Sequence, residues 1–199
     1  MPAVQALVVL NGDRPDAAWL AVEAGAADLV VGDLDSLSAA GAALLAEAGV
    51  PIERHPREKD ATDGELALRA ALARGATAIR IAGALGGSRA DQGIAGIMLL
   101  ALPDLEGVDV ALVTPTDTVR VLRGPSAHRL TGRPGDLVSL LPLGARVTGI
   151  TTTGLRYALA DASLEPGLTR GLSNELLATE ATLEIGAGAL IVTTHRAYH

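Results

Sequence analysis

The sequence lacks cysteine and phenylalanine, and its aromatic residues are Trp19, Tyr157 and Tyr198 alone. The lack of cysteine excludes disulfides, zinc–thiolate sites and catalysis by a thiol. So few aromatic rings argue against a protein that binds single-stranded nucleic acid by stacking bases on aromatic platforms. A core of this composition must be packed from aliphatic side chains, chiefly alanine, leucine and valine.

Positive charge is also scarce. The sequence has 16 lysines and arginines against 23 aspartates and glutamates, which gives a net charge of −7. This balance argues against nucleic-acid backbones and anionic membrane surfaces as partners. No apolar run approaches the ~18 residues that a membrane span needs. The N-terminal run lacks a preceding basic segment and breaks at residues 11–12, so it predicts a first strand and no signal peptide. We expect no nucleic-acid or membrane partner and a cytoplasmic location.

The hydrophobic pattern changes character along the 199 residues. Up to about residue 116, short apolar runs alternate with helical patterns, which predicts right-handed crossovers and a mostly parallel α/β sheet. After that point, short runs rich in valine, threonine, isoleucine and leucine are separated by glycine, proline and aspartate, as in antiparallel structure. We therefore predict a domain boundary near residues 115–125, with domains at 1–118 and 119–199.

Three polar clusters follow predicted strands of the first domain. They are the pair Asp33 and Asp35 after DLVV, the segment KDATD at 59–63 and the segment GALGGSRAD at 83–91. The carboxyl ends of parallel strands lie at one edge of a sheet, where open α/β sheets bind their ligands. If the three loops meet at this edge, they bring together five carboxylates, those of Asp33, Asp35, Asp60, Asp63 and Asp91. They also bring two cations, Lys59 and Arg89.

This set of residues suits a polyphosphate that is bound together with Mg²⁺. Carboxylate oxygens are hard ligands for Mg²⁺, and a glycine-rich turn lets backbone N–H groups approach phosphate oxygens. Arg89 can clamp a phosphate in a forked geometry, and Lys59 can neutralise charge that develops during a transfer. Each cluster alone also fits a turn or a helix cap, so the functional interpretation depends on the convergence of all three.

In this order, the clusters resemble the motifs of the thiamine pyrophosphokinase (thiamine diphosphokinase) family. The matching segments are GDLDS at 32–36, KDATD at 59–63, GGSRAD at 86–91 and GLSNE at 171–175. The early D-G-G of the family is absent, Gln92 replaces its R-x-D-H histidine, and Gly96 replaces its usual asparagine. An extra Ser88 separates the glycines from Arg89.

The resemblance implies a Rossmann-like domain, a mostly parallel sheet with helices on both faces, followed by a smaller β-sandwich-like domain. The first would bind the nucleotide and the second would bind thiamine. The implied reaction transfers pyrophosphate from Mg-ATP to the hydroxyethyl group of thiamine and gives thiamine diphosphate and AMP. Members of the family are homodimers that bind thiamine between subunits, and the same is implied here.

The resemblance also implies a role for each matching residue. The magnesium ligands are Asp33, Asp35 and Asp63. The nucleotide-binding residues are Lys59, Asp60, Thr62, Gly86, Gly87 and Arg89. The thiamine-binding residues are Asp91, Ser173 and Asn174. The catalytic set is Asp33, Asp35, Asp63, Asp91 and Arg89. The thiamine ring has no obvious stacking partner, since Trp19 is far in sequence from the GLSNE segment.

Three other interpretations remain open. A related pyrophosphokinase could use the same Mg-ATP half on another alcohol, such as hydroxymethyldihydropterin, although the intact S-N-E motif favours thiamine. A non-catalytic sensor of a nucleotide or of thiamine diphosphate would account for the motif departures. A two-domain protein whose aspartates merely cap helices would show no Mg²⁺-dependent nucleotide binding.

Overall fold

The structure is a computed structural model that describes residues 3–10, 17–32, 43, 47, 49, 51–53, 62–85 and 89–197. The chain divides into two compact units, Met1–Pro115 and Thr116–His199. The boundary predicted from the sequence, between residues 118 and 119, lies three residues further along the chain. Each unit contains a cluster of buried aliphatic side chains of its own.

The first unit alternates strands and helices. Its described elements are β1 (Val4–Val9), α1 (Ala17–Gly25), β2 (Leu29–Gly32), β3 (Ile52–Glu53), α2 (Asp63–Ala73), β4 (Ala76–Ala82), α3 (Ala90–Leu99), a 3₁₀ turn (Pro103–Leu105) and β5 (Asp109–Val113). The strand order is β5-β4-β1-β2-β3, and every described pair is parallel. β1 and β2 pair from Ala6 opposite Leu29 to Val9 opposite Gly32.

The core of the first unit is aliphatic, as the composition requires. The last four residues of β1 and all four residues of β2 are buried, so neither face of the sheet is open to solvent there. From α1, Leu20 and Ala24 pack with these strands, because residues four apart share one face of a helix. Arg80 of β4 donates a hydrogen bond of 2.6 Å to Glu23, which ties α1 to the sheet.

The start of α2 is set by local chemistry. Thr62 has an extended backbone at the N-cap, and its hydroxyl accepts a hydrogen bond of 3.3 Å from the backbone N–H of Glu65. This bond satisfies one of the free N–H groups of the first turn. Further along, the buried residues Gly64, Ala67, Leu68 and Ala71 form one face of the helix.

The second unit contains only strands and turns among its described residues. The strands are β6 (Asp117–Arg123), β7 (Ser126–Thr131), β8 (Leu137–Pro142), β9 (Val147–Thr153), β10 (Ala162–Leu164), β11 (Asn174–Glu175), β12 (Glu180–Ile185) and β13 (Ala189–His195). They form the orders β11-β8-β13-β6 and β10-β9-β12-β7, with antiparallel pairing throughout. Alternate residues of β12 are buried, and the core cluster draws on strands of both sheets.

Taken over the whole chain, strands predominate, and most described strand pairs are antiparallel. Parallel pairing is confined to the first unit, and the predicted coverage of its sheet by helices on both faces is not confirmed. Strands outnumber helices in the chain as a whole because the second unit contributes eight strands and no described helix. No helix in the described ranges has the length and apolar character to cross a membrane.

Candidate active site

A cavity of about 170 Å³ lies at the carboxyl edge of the parallel sheet. Leu10 lines it directly after β1, and Gly83 and Ala84 line it directly after β4. β1 and β4 are neighbours between which the order of strands reverses, since β2 lies on the other side of β1. Open α/β sheets bind their ligands at such a switch point.

The N-terminus of α2 forms part of this cavity through Thr62 and Asp63. Both residues are exposed, and the carboxylate of Asp63 stands in the first turn of the helix. A carboxylate in the first turn is stabilised by the helix dipole, and its oxygens are the donors that Mg²⁺ prefers. Glu65 in the same turn does not line the cavity and instead pairs with Arg69 at 2.9 Å.

Small residues allow the elements around the cavity to approach one another. A Cβ at the buried Gly64 would lie 2.7 Å from Cδ1 of Leu99. A Cβ at Gly96 would lie 3.0 Å from both Cβ and the carbonyl oxygen of Ala84. Gly96 therefore lets α3 lie against the turn after β4, and the asparagine of the family motif would not fit between them without a shift of the helix.

Arg89 and Asp91 form a forked pair at the start of α3. Nη2 of Arg89 lies 2.5 Å from Oδ2 of Asp91, and Nε donates to Oδ1 at 3.1 Å. Both side chains are exposed. The hydrogen bonds from Arg89 hold the pKa of the Asp91 carboxyl below its ordinary value, and the pKa of the Arg89 guanidinium is raised by the same pair. From this turn, Gln92 reaches the cavity, at the position where the family motif has its histidine.

Six predicted site residues lie outside the described residues: Asp33, Asp35, Lys59, Asp60, Gly86 and Gly87. β2 ends at Gly32, directly before Asp33, at the edge that holds the cavity. Within the described ranges, no three histidine, cysteine, aspartate or glutamate side chains are grouped closely enough to hold a metal ion. Of the predicted magnesium ligands, only Asp63 is described, and its exposed carboxylate at the cavity fits that role.

In the second unit, Asn174 is buried with 8% of its surface exposed. Its Oδ1 accepts hydrogen bonds of 2.9 Å from the backbone N–H groups of Tyr157 and Glu175. Its Nδ2 donates a hydrogen bond of 2.8 Å to the carbonyl oxygen of Tyr157. The neighbouring Ser173 is exposed and has a φ of 55°, a left-handed conformation that non-glycine residues rarely adopt.

The hydrogen bonds of Asn174 point to a further residue, Tyr157, which lies outside the four matching motifs. Tyr157 follows β9 in the segment GLRYAL, and 66% of its surface is exposed. The signal that could have identified it is the scarcity of aromatic residues in this part of the chain.

Two family models match the chain. Residues 13–112 match the model described as the thiamin pyrophosphokinase catalytic domain, and residues 127–190 match the thiamin pyrophosphokinase vitamin B1 binding domain. The chain belongs to the thiamine pyrophosphokinase family. Membership assigns it the activity of a thiamine diphosphokinase, and the family generally uses ATP as co-substrate.

Similar proteins of this family agree with the assignment. A thiamine pyrophosphokinase of Bacillus subtilis is 26% identical over 183 residues, which covers 87% of this chain and 85% of the relative. The crystal structure of thiamine pyrophosphokinase from Bacillus subtilis superimposes with a TM-score of 0.76 at 22% identity, covering 98% and 100% of the two chains. The crystal structure of thiamin pyrophosphokinase from Geobacillus thermodenitrificans superimposes with a TM-score of 0.73 at 26% identity. The match covers 97% of this chain and 98% of that one.

The two matches fall on either side of the boundary between the structural units. The catalytic match lies within the unit that contains the cavity, Thr62, Asp63, Arg89 and Asp91. The vitamin B1 binding match contains Tyr157, Ser173 and Asn174. The sheet-dominated fold with few helices is the fold of thiamine pyrophosphokinases.

Proposed function

We propose that the protein transfers the pyrophosphoryl group of Mg-ATP to thiamine, by attack of the hydroxyethyl oxygen on the β-phosphorus. The bond between this phosphorus and the oxygen bridging to the α-phosphate breaks, which gives thiamine diphosphate and AMP, and the hydroxyl proton is released. The observation that carries the proposal is the cavity at the switch point between β1 and β4, with Asp63 at the N-terminus of α2 on its lining.

The residues at this edge would act mainly by positioning the phosphates and neutralising their charge, which supplies most of the catalysis in such transfers. We assign the metal to Asp33, Asp35 and Asp63, and the bound Mg²⁺ would supply positive charge against the phosphate oxygens. The nucleotide would be held by Lys59, Asp60, Thr62, Gly86, Gly87 and Arg89.

Asp91 is assigned to positioning on the thiamine side, and its pairing with Arg89 supports that role over general-base catalysis. A carboxyl whose pKa is held below its ordinary value is a poor acceptor for a hydroxyl proton. The forked pair also leaves Arg89 with two of its donors committed to Asp91. The remaining guanidinium N–H groups are those we assign to phosphate.

We further propose a Rossmann-like arrangement for residues 1–118, with helices on both faces of the sheet, and a thiamine-binding β-sandwich for residues 119–199. The burial of successive residues in β1 and β2 supports coverage of both faces. We also propose that the protein is a homodimer and acts in the cytoplasm, where its co-substrate ATP is available.

The reaction is tested by incubating the purified protein with ATP, Mg²⁺ and thiamine and separating the products by chromatography. Thiamine diphosphate and AMP are expected in equal amounts. If Mg-ATP binds and neither product forms, the proposal fails. A screen of other alcohols, including hydroxymethyldihydropterin, would then separate a different acceptor from a sensor without turnover.

Within this assay, Asp63→Asn should lower kcat by about 100-fold or more, as removal of one preorganised electrostatic contact does in other active sites. Glu65→Gln is the matched control, because it removes a carboxylate from the same helical turn that does not line the cavity. Both variants should lose similar, small amounts of stability, since each weakens an interaction with the helix dipole. Equal activity of the two variants would contradict the role of Asp63.

A further inference from the structure

Asp136 is the one carboxylate among the described residues that is buried, with 7% of its surface exposed. It lies in the turn between β7 and β8 and is not among the residues assigned to the reaction. Burial of a carboxylate is costly unless its oxygens accept hydrogen bonds. A buried carboxylate outside the catalytic set therefore requires an explanation.

The two carboxylate oxygens of Asp136 bind two separate segments of the chain. Oδ2 accepts a hydrogen bond of 2.7 Å from the backbone N–H of Arg133 in the same turn. Oδ1 accepts a hydrogen bond of 3.1 Å from the backbone N–H of Ala197, 61 residues along the chain. Hydrogen bonds from an N–H to a carboxylate are stronger than those between neutral groups. The side chain therefore joins the C-terminal segment (residues 196–197) to the turn between β7 and β8.

The C-terminal segment is itself fixed at the start of β6. The backbone N–H of Arg196 donates a hydrogen bond of 2.8 Å to the carbonyl oxygen of Thr116. Directly before this segment, Nδ1 of His195 lies 2.7 Å from Oδ1 of Asp117. The N–H of Ala197 is thus offered to Asp136 from a backbone that is already held on its other side.

The main chain around Asp136 holds the residue that follows β11. The carbonyl oxygen of Asp136 accepts a hydrogen bond of 2.9 Å from the N–H of Leu176, and the N–H of Gly135 donates to the carbonyl oxygen of Leu176 at 2.8 Å. These bonds continue the antiparallel pairing of β11 with β8 by one residue. The position of β11 therefore depends on the backbone that the carboxylate fixes.

Space at this point is tight. A Cβ at Gly132 would lie 2.9 Å from Oδ2 of Asp136 and 2.6 Å from Cδ1 of the buried Leu176. The carboxylate and the leucine side chain are thus packed against the same glycine. Because a close-packed interior transmits small shifts, a displaced Asp136 carboxylate would also displace Leu176.

We infer that Asp136 is a positioning residue for thiamine, and that the C-terminal segment takes part in this positioning through its bond to Asp136. The inference rests on the proposed function, in which Ser173 and Asn174, at the start of β11, have a role in thiamine binding. Asp136 itself makes no contact with the substrate in this scheme. Its carboxylate fixes the turn, the turn fixes Leu176, and Leu176 fixes β11. A strand fixed before binding loses little conformational freedom when the ligand arrives.

The sharpest test removes one N–H group and leaves the carboxylate in place. Ala197→Pro deletes the donor to Oδ1, and Ala197→Gly, which keeps the N–H, is the matched control. KM for thiamine is measured at saturating Mg-ATP, and KM for ATP at saturating thiamine. Ala197→Pro should raise KM for thiamine roughly fivefold, the size expected for loss of one hydrogen bond, and should leave KM for ATP unchanged. Ala197→Gly should remain close to the wild type.

Asp136→Asn tests the other end of the same bond. An amide has a single acceptor oxygen, and the shorter bond from Arg133 should retain it, so that the bond from Ala197 is lost. This variant should raise KM for thiamine by a similar factor, and the double variant with Ala197→Pro should be no worse than either single variant. Additive effects would show that the two residues act separately and would overturn the inference. Glu184→Gln, at an exposed carboxylate of β12, should be neutral.

A purely structural role of Asp136 predicts a different result. It would lower Tm and the fraction of active protein, and with that fraction the apparent kcat, whereas KM for thiamine of the folded protein would be unchanged. An unchanged KM for thiamine in Ala197→Pro therefore overturns the inference even if Tm falls. If Asp136→Asn does not fold, the comparison of Ala197→Pro with Ala197→Gly decides alone.

The outcomes separate this inference from the proposed function. If the wild type makes thiamine diphosphate and Ala197→Pro leaves KM for thiamine unchanged, the inference is overturned and the function stands. If the wild type makes no thiamine diphosphate, the proposed function fails, and equilibrium dialysis of thiamine against the wild type and Ala197→Pro decides the inference. Weaker thiamine binding by the variant would then support it, and equal or undetectable binding in both would overturn it.

Discussion

At the scale of single residues, the pair of Arg89 and Asp91 changes the interpretation of the R-x-D motif. The motif implied one residue near the triphosphate and another near thiamine. The structure joins them through two hydrogen bonds at the start of α3. Any contact of Arg89 with a phosphate therefore occurs beside a carboxylate, and that carboxylate fixes the direction of the guanidinium.

The pKa of Asp91 provides a direct test of this pair. The hydrogen bonds from Arg89 are the largest cause of its lowered pKa, so Arg89→Gln should move the pKa upward toward the ordinary value. Carbon-detected NMR titration of the Asp91 carboxyl measures the change. Asp104→Asn, at an exposed carboxylate paired with Arg69, serves as a control that should not move it.

The effect of this pair on stability should be small. A lowered pKa in the folded state adds stability above the ordinary pKa, and this stability is lost as the pH falls through the folded value. Because both side chains are exposed, solvent screens the pair, and the Tm of Arg89→Gln at neutral pH should be close to that of the wild type. An unchanged Asp91 titration in Arg89→Gln would show that the pair does not persist in solution.

At the scale of elements, the position of α3 depends on one glycine. Gly96 faces Ala84 in the turn after β4, whereas Gly93, three residues earlier on the same helix, has open space around it. The two glycines therefore differ in what an added methyl group would meet, although both sit in the interior of one helix.

This difference predicts opposite effects of the same substitution. Gly96→Ala should destabilise the protein by about 1–3 kcal/mol, because the added Cβ forces α3 away from Ala84. Gly93→Ala should stabilise it by about 0.5–1 kcal/mol, because alanine loses less backbone entropy in a helix. Urea unfolding of both variants measures the free energies. Stabilisation by Gly96→Ala would mean that α3 is not held against this turn.

At the scale of the whole molecule, the proposed homodimer can be tested without reference to activity. Family resemblance implies the dimer, and large apolar side chains such as Leu172 and Leu177 are exposed in the isolated chain. Sedimentation should give a mass of about twice 20.1 kDa, and Tm should rise with protein concentration. A single species near 20.1 kDa across a dilution series would contradict the dimer.

The sequence by itself determined the features that depend on residues close together in the chain. The cap of α2 needs only Thr62 and an N–H three residues later, so its position could be predicted. The continuous apolar runs of β1 and β2 predict parallel pairing in the first unit. The short runs rich in valine, threonine, isoleucine and leucine, separated by glycine, proline and aspartate, predict antiparallel structure in the second. The ordered motifs identified the family, because their spacing is read along the chain.

The tertiary structure decided what depends on residues that are distant in sequence. The cavity forms because Leu10 and Gly83 directly follow neighbouring strands, and no periodicity states which strands become neighbours. Position 96 requires a glycine because α3 approaches Ala84 closely there. The hydrophobic pattern of the helix does not encode this contact. Asn174 matched a motif, but its bonds to Tyr157, 17 residues away, appear only when the chain is folded. The physical reason is that local pattern sets secondary structure, whereas packing through space sets which side chains remain available to a ligand.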